Sequence, residues 1–227
     1  MTNSKWIKIG LSLLLVAVLS SISLTFLHGD DFPAQQRPVN GARARIVIVG
    51  NSITFHGPKP SVGWNGEQGM AATSIDRDYA HLLIKHLSID PDEAYIRNFY
   101  PFETSDKGAK ENIKSVSDVW SHRPSITVIE LGDNVKAYKL LDLLNFYRNY
   151  RSLASVAAVS SEHLYCLSTF WQSTVVDWVI RSSCEKSGGT FVDIGDIYKS
   201  PRNPDRSYLS AHPVLSARVL DAKVSPS

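Results

Sequence analysis

From Arg45 onward the chain alternates short β-branched runs with stretches in which apolar residues recur every three or four positions. The first run, Ile46-Val47-Ile48-Val49, has four consecutive branched residues, the pattern of a strand buried on both faces in a parallel sheet. Runs at 94–99, 126–131, 163–170 and 190–194 also read as strands, so about five strands are predicted. Between them, residues 76–88 place Tyr79, Leu82, Leu83 and Leu87 on one helical face, with Ser74 or Asp76 to cap it. A helix over 110–122 would turn Ile113, Val116, Val119 and Trp120 inward. A long one over about 136–159 carries Leu140, Leu141, Leu144, Tyr147 and Leu153 as its core stripe, and another covers 175–186. Alternation of strand and helix argues an α/β layer fold around a parallel sheet.

The amino-terminal part reads differently. Lys5 and Lys8 precede a charge-free run over 9–27, about long enough at roughly 1.5 Å per residue to cross a hydrocarbon core. Thr25-Phe26-Leu27-His28-Gly29 is a poor cleavage site, which favours an uncleaved signal anchor over 1–29, with cleavage and secretion the alternative. The positive flank puts the amino terminus inside and the remainder on the outer, periplasmic or extracellular side. Residues 30–44 read as a linker and 45–227 as one domain, within what 227 residues accommodate. A net charge of +2 does not suggest a nucleic-acid partner, and no Cys and His cluster has zinc-site spacing, so neither metal nor cofactor is indicated. Cys166 and Cys184 suit a disulfide in an exported domain, or two buried thiols.

Candidate chemistry begins where the first strand stops. Gly50 permits a sharp turn, and Ser52 follows it at the carboxyl edge of the sheet, where open α/β folds place ligands. Gly132-Asp133-Asn134 follows another strand, and His212-Pro213 lies late in the chain. Ser early, Asn in the middle and His late resembles the SGNH, or GDSL-like, hydrolase family. That family's first block usually reads Gly-Asp-Ser, and here Asn51 stands at the Asp position. A more particular likeness is to exported bacterial members, through Asn51 to Thr54, His56, Gly63-Trp64, Gly69-Met70-Ala71-Ala72 and Asp78-Tyr79.

The resemblance runs from about Arg45 to Ala222 and implies a flavodoxin-like three-layer sandwich. It also implies Ser52 as nucleophile, His212 as base, and the Ser52 backbone N–H with the Asn134 amide as oxyanion donors. Two departures stand out. Where relatives carry a Gly after the second strand, this chain has Asn98-Phe99-Tyr100-Pro101, so the Tyr100 backbone N–H is the remaining donor, Pro101 having none. Three residues before His212 stands Leu209 in place of Asp. Asp205 is the nearest substitute in sequence, Asp193 and Asp196 are others, and a Ser-His dyad is the remaining option. Asn51, His56, Trp64 and Trp171 are expected to line the substrate site, two of them from the unusually long loop over 55–70. The implied activity is removal of small acyl groups, acetyl first, from a glycan or other envelope ester. The alternatives are a catalytically impaired glycan-binding or scaffold domain, and an acyltransferase.

Overall fold

A computed structural model describes residues 35–37 and 43–195. The expected anchor over 1–29, Asp196, Asp205 and His212 lie outside the described residues. Six strands form one sheet among the described residues: β1 (Gln35–Gln36), β2 (Ile46–Gly50), β3 (Ala94–Asn98), β4 (Ile126–Glu130), β5 (His163–Leu167) and β6 (Thr190–Val192), in the order β1-β3-β2-β4-β5-β6. The five from β2 to β6 are parallel, as expected, and in the flavodoxin-like order. The addition is β1, two residues from the stretch read as a linker, which pairs antiparallel with the edge of β3. Two polar residues carry no strand pattern of their own; an open edge supplies the pairing.

Side-chain alternation along each strand builds two cores. Val47, Val49, Tyr95, Ile129 and Cys166 face one side, Ile46, Ile48, Ile96, Val128 and Leu167 the other. Helix α1 (Tyr79–His86) packs Tyr79, Ala80, Leu83 and Ile84 on the second side. Its cap is Asp78, which accepts from the His81 N–H, and not Ser74 or Asp76, because a 3-10 turn over Ile75–Arg77 comes first.

After β3 follow α2 (Pro101–Thr104), α3 (Ala109–Ser115) and α4 (Ser117–Ser121). The last two replace the single helix expected over 110–122, since Val116 leaves helical geometry with its side chain fully buried. Helix α5 (Leu140–Ser160) begins four residues later than expected, after turns closed by Val135 N–H to Gly132 O and Lys139 N–H to Lys136 O. Its core face is Phe146, Tyr150, Leu153, Ala154 and Ala157. Leu140, Leu141 and Leu144, expected in the core, are exposed: at about 100° per residue Leu144 lies roughly opposite Phe146. Helix α6 (Thr174–Lys186) packs beside α5 and is joined to β5 by the disulfide Cys166–Cys184, Cα–Cα 6.2 Å. No described helix is long and apolar enough to cross a membrane.

Candidate active site

Register brings three strand ends level. Gly50 pairs with Asn98 on one side and Glu130 on the other, so the loops after β2, β3 and β4 leave the same edge of the sheet. The chain goes from β2 outward to β3 and then back past β2 to β4, which makes the gap between β2 and β4 the switch point where such sheets bind ligands.

Ser52 sits in the turn after β2, half-buried. Asn51 shapes that turn: its Oδ1 accepts from Ile53 N at 2.8 Å, and its backbone carbonyl accepts from Thr54 and Phe55. Asn51 is fully buried, so it serves the turn from beneath. The loop over 55–70 folds back onto the turn, with Met70 N donating to the Ser52 carbonyl at 2.8 Å and Gly69 N to Asp78 Oδ2 at 3.2 Å. His56 and Trp64 lie in this loop and touch each other, Trp64 Nε1 donating to the His56 carbonyl at 3.3 Å, while His56 Nδ1 meets the Gly57 carbonyl at 2.6 Å. Both remain partly accessible.

Sequence reasoning missed Glu103, which α2 places under the switch point. Its carboxyl receives three donors: Asn134 Nδ2 at 2.6 Å on Oε2, Asn51 Nδ2 at 3.1 Å on Oε1, and the Gly132 N–H, also on Oε1. Burial pushes this carboxyl up to about 7, against the pull of the three donors, and Asp133 adds to the rise. A second acid lies beneath the first. Glu130 is buried and accepts from Thr54 Oγ1 at 2.9 Å. Thr54 Oγ1 lies 2.6 Å from the Tyr79 hydroxyl; with its own proton on Glu130, it accepts from Tyr79. Burial, with the Asp133 and Glu103 charges, drives Glu130 well above the carboxylate range. Both acids were visible in the sequence as single charges in or against apolar runs, Phe102-Glu103 and Ile129-Glu130-Leu131, which is the only local sign of a buried carboxyl.

Asn134 is exposed beside a cleft of about 290 Å³ whose lining includes Tyr100, Glu103, Asn134, Lys136, Asp142 and Asn145. The Tyr100 N–H is given to Asn98 Oδ1 at 2.8 Å, so an oxyanion would have to share it; the Tyr100 ring is exposed. Trp171, also exposed, is fixed at its backbone by Asp133 Oδ1, 2.9 Å away. Asp193 Oδ1 accepts from Gly195 N at 2.9 Å. A described Asp–His pair, Asp78 and His81, has the His81 Nε2 against Gln36 Oε1 at 2.9 Å, and it anchors the loop and β1. No group of three or more His, Cys, Asp or Glu among the described residues could hold a metal ion.

Neither a family model nor a curated protein matches the sequence. The fold does have a match among solved structures, a protein of Bacteroides uniformis ATCC 8492 assigned as a GDSL-like lipase. The likeness covers 81% of this chain and 97% of that one at a TM-score of 0.53, with 15% identity. The shared property is the fold.

Proposed function

We propose that this chain is a serine esterase of the SGNH type that removes small acyl groups, acetyl foremost, from a glycan or other envelope ester. The observation that carries the reading is the convergence of the Ser52 turn and the Gly132–Asn134 loop at the switch point, tied together through Glu103. The fold it shares with a GDSL-like lipase supports the same reading.

In this reaction Ser52 Oγ attacks the acyl carbon while His212 accepts its proton. The former carbonyl oxygen, now negative, takes hydrogen bonds from the Ser52 N–H and the Asn134 amide. Collapse expels the alcohol, which leaves with the proton from His212, and Ser52 is acylated. Water, deprotonated by His212, then releases the carboxylic acid and regenerates Ser52. The cleft beside Asn134 suits a hydroxyl-rich alcohol, since Tyr100 offers a ring face and Asn145, Asp142 and Lys136 offer polar partners. An alcohol held there in place of water would make the chain an acyltransferase. The impaired-domain alternative has one observation in its favour: Tyr100 N–H and one Asn134 N–H are already engaged. The Cys166–Cys184 disulfide fits an oxidising compartment, in keeping with an anchored domain on the outer, periplasmic or extracellular, side of the membrane.

The test is a fluorophosphonate probe on the full chain in detergent, with peptide mapping. The expected label is on Ser52, and Ser52→Ala removes it and lowers ester hydrolysis by about three powers of ten or more. Folded protein that never labels would sink the esterase reading.

A further inference from the structure

We infer that Glu103 is a positioning residue that orients the Asn134 carboxamide, so that one N–H is spent on the Glu103 carboxylate and the other is presented to the reacting oxygen. The inference rests on Asn134 as oxyanion donor, and it assigns that donor's orientation to a residue outside the expected Ser, Asn and His.

Asn134 is exposed, so its side-chain torsions are less constrained by packing than a buried residue's, and its bond to Glu103 does more to set them. Its amide has two chemically opposite ends of nearly equal shape, and only the nitrogen end helps an oxyanion. An ionised carboxylate accepts and cannot donate, so it selects the nitrogen end. Glu103 is itself immobilised, buried on α2 and held on Oε1 by Asn51 Nδ2 and the Gly132 N–H, so its Oε2 is a fixed reference for Asn134 Nδ2 at 2.6 Å. Asn51 precedes Ser52, and Gly132 opens the loop that carries Asn134. One carboxylate therefore sets the nucleophile's turn and the donor against each other.

A protonated Glu103 loses this selectivity, because its O–H can pair with the Asn134 carbonyl oxygen and turn the amide over. Its burial-raised value near 7 puts that change within reach of ordinary conditions. The charged or titratable groups around it are Asp133 and Glu130 from β4 and its following loop, with Lys136, Asp142 and Asp106 along the cleft. Burial first, and then the Asp133 charge, favour the neutral form of Glu103, and its three donors favour the charged form.

The test is Glu103→Gln and Asn134→Ala, singly and together, on the full chain, with Glu103→Asp as the conservative variant. Gln keeps the size but offers an N–H that draws the Asn134 oxygen toward it. Glu103→Gln is expected to lower kcat tenfold to a hundredfold with KM within about twofold, since an oxyanion donor acts mainly in the transition state. In the Asn134→Ala background the same change should cost less than twofold, and Glu103→Asp should regain part of the rate. Independent losses that multiply, or a folded Glu103→Gln enzyme at full kcat, overturn the proposal.

An imidazole base titrates in the same range, so the pH arm reads the amide and not the rate. The Asn134 side-chain resonance, assigned by its loss in Asn134→Ala, should shift with a midpoint near 7 in the wild type and not in Glu103→Gln. A resonance indifferent to both overturns the positioning role whether or not the protein is active. A titrating resonance in a protein without esterase activity keeps the Glu103–Asn134 pairing, but overturns its catalytic use together with the esterase reading.

Discussion

Gly50 shows how little freedom a single position has at this edge of the sheet. A Cβ there would lie 1.8 Å from Thr54 Oγ1 and 2.5 Å from the Glu130 carbonyl oxygen. Thr54 cannot yield without giving up its bonds to Tyr79 and Glu130, and the carbonyl belongs to a paired strand. Gly50→Ala should therefore destabilise the fold by about 3 kcal/mol, the upper end of what overpacking costs, read as a lowered urea midpoint. Gly132 is held for a different reason: its φ of 138° and the nearby Thr169 and Val176 side chains both exclude a Cβ. These glycines were legible in the sequence as strand ends, and Ser52 and Asn134 with them. The role of Asn51 was not, because an Asn that closes a turn and an Asn that faces a ligand look alike until burial is known.

Among the elements, β4 carries an acid in a position where strands are apolar. Glu130 keeps its proton in the folded state, whereas the unfolded chain releases it above the ordinary value near 4.5. The stability this protonated group supports is present below that value and is lost as pH rises toward the raised folded value. Glu130→Gln mimics the protonated form and has no such loss. Its stability relative to the wild type should rise by about 1.4 kcal/mol per pH unit above the ordinary carboxyl range, measured by urea unfolding at pH 5, 6 and 7. The union of β5 and α6 offers a second check: replacing Cys166 and Cys184 by Ala opens an 18-residue separation. Loop-closure entropy then predicts a loss of about 3 kcal/mol, seen as a lower Tm that reductant no longer changes. Helix periodicity located α1, α5 and α6 to within a few residues, but it put the wrong face of the first turns of α5 in the core. Four Leu within the five positions 140–144 satisfy more than one stripe, and only contact with the sheet chooses among them.

The whole molecule brings residues from distant parts of the chain into one cluster, as the pairing of Glu103 with Asn51 and Asn134 shows, 52 and 31 residues away. The full chain is expected in the membrane fraction and a chain starting at Asp30 in the soluble one, both keeping the Ser52 label; a full chain found only in the soluble fraction would overturn the anchor. Local chemistry alone determined the alternation of the five parallel strands with the main helices, and the placing of Ser52, Gly132 and Asn134 at strand ends, because β-branching, periodicity and glycine turns act over a few residues. Tertiary structure alone decided that Gln35–Gln36 closes an edge, that two cysteines meet, and that Glu103 joins the Ser52 turn to the Asn134 loop. Those outcomes depend on burial and on partners from other strands, which the order of residues along one stretch does not contain.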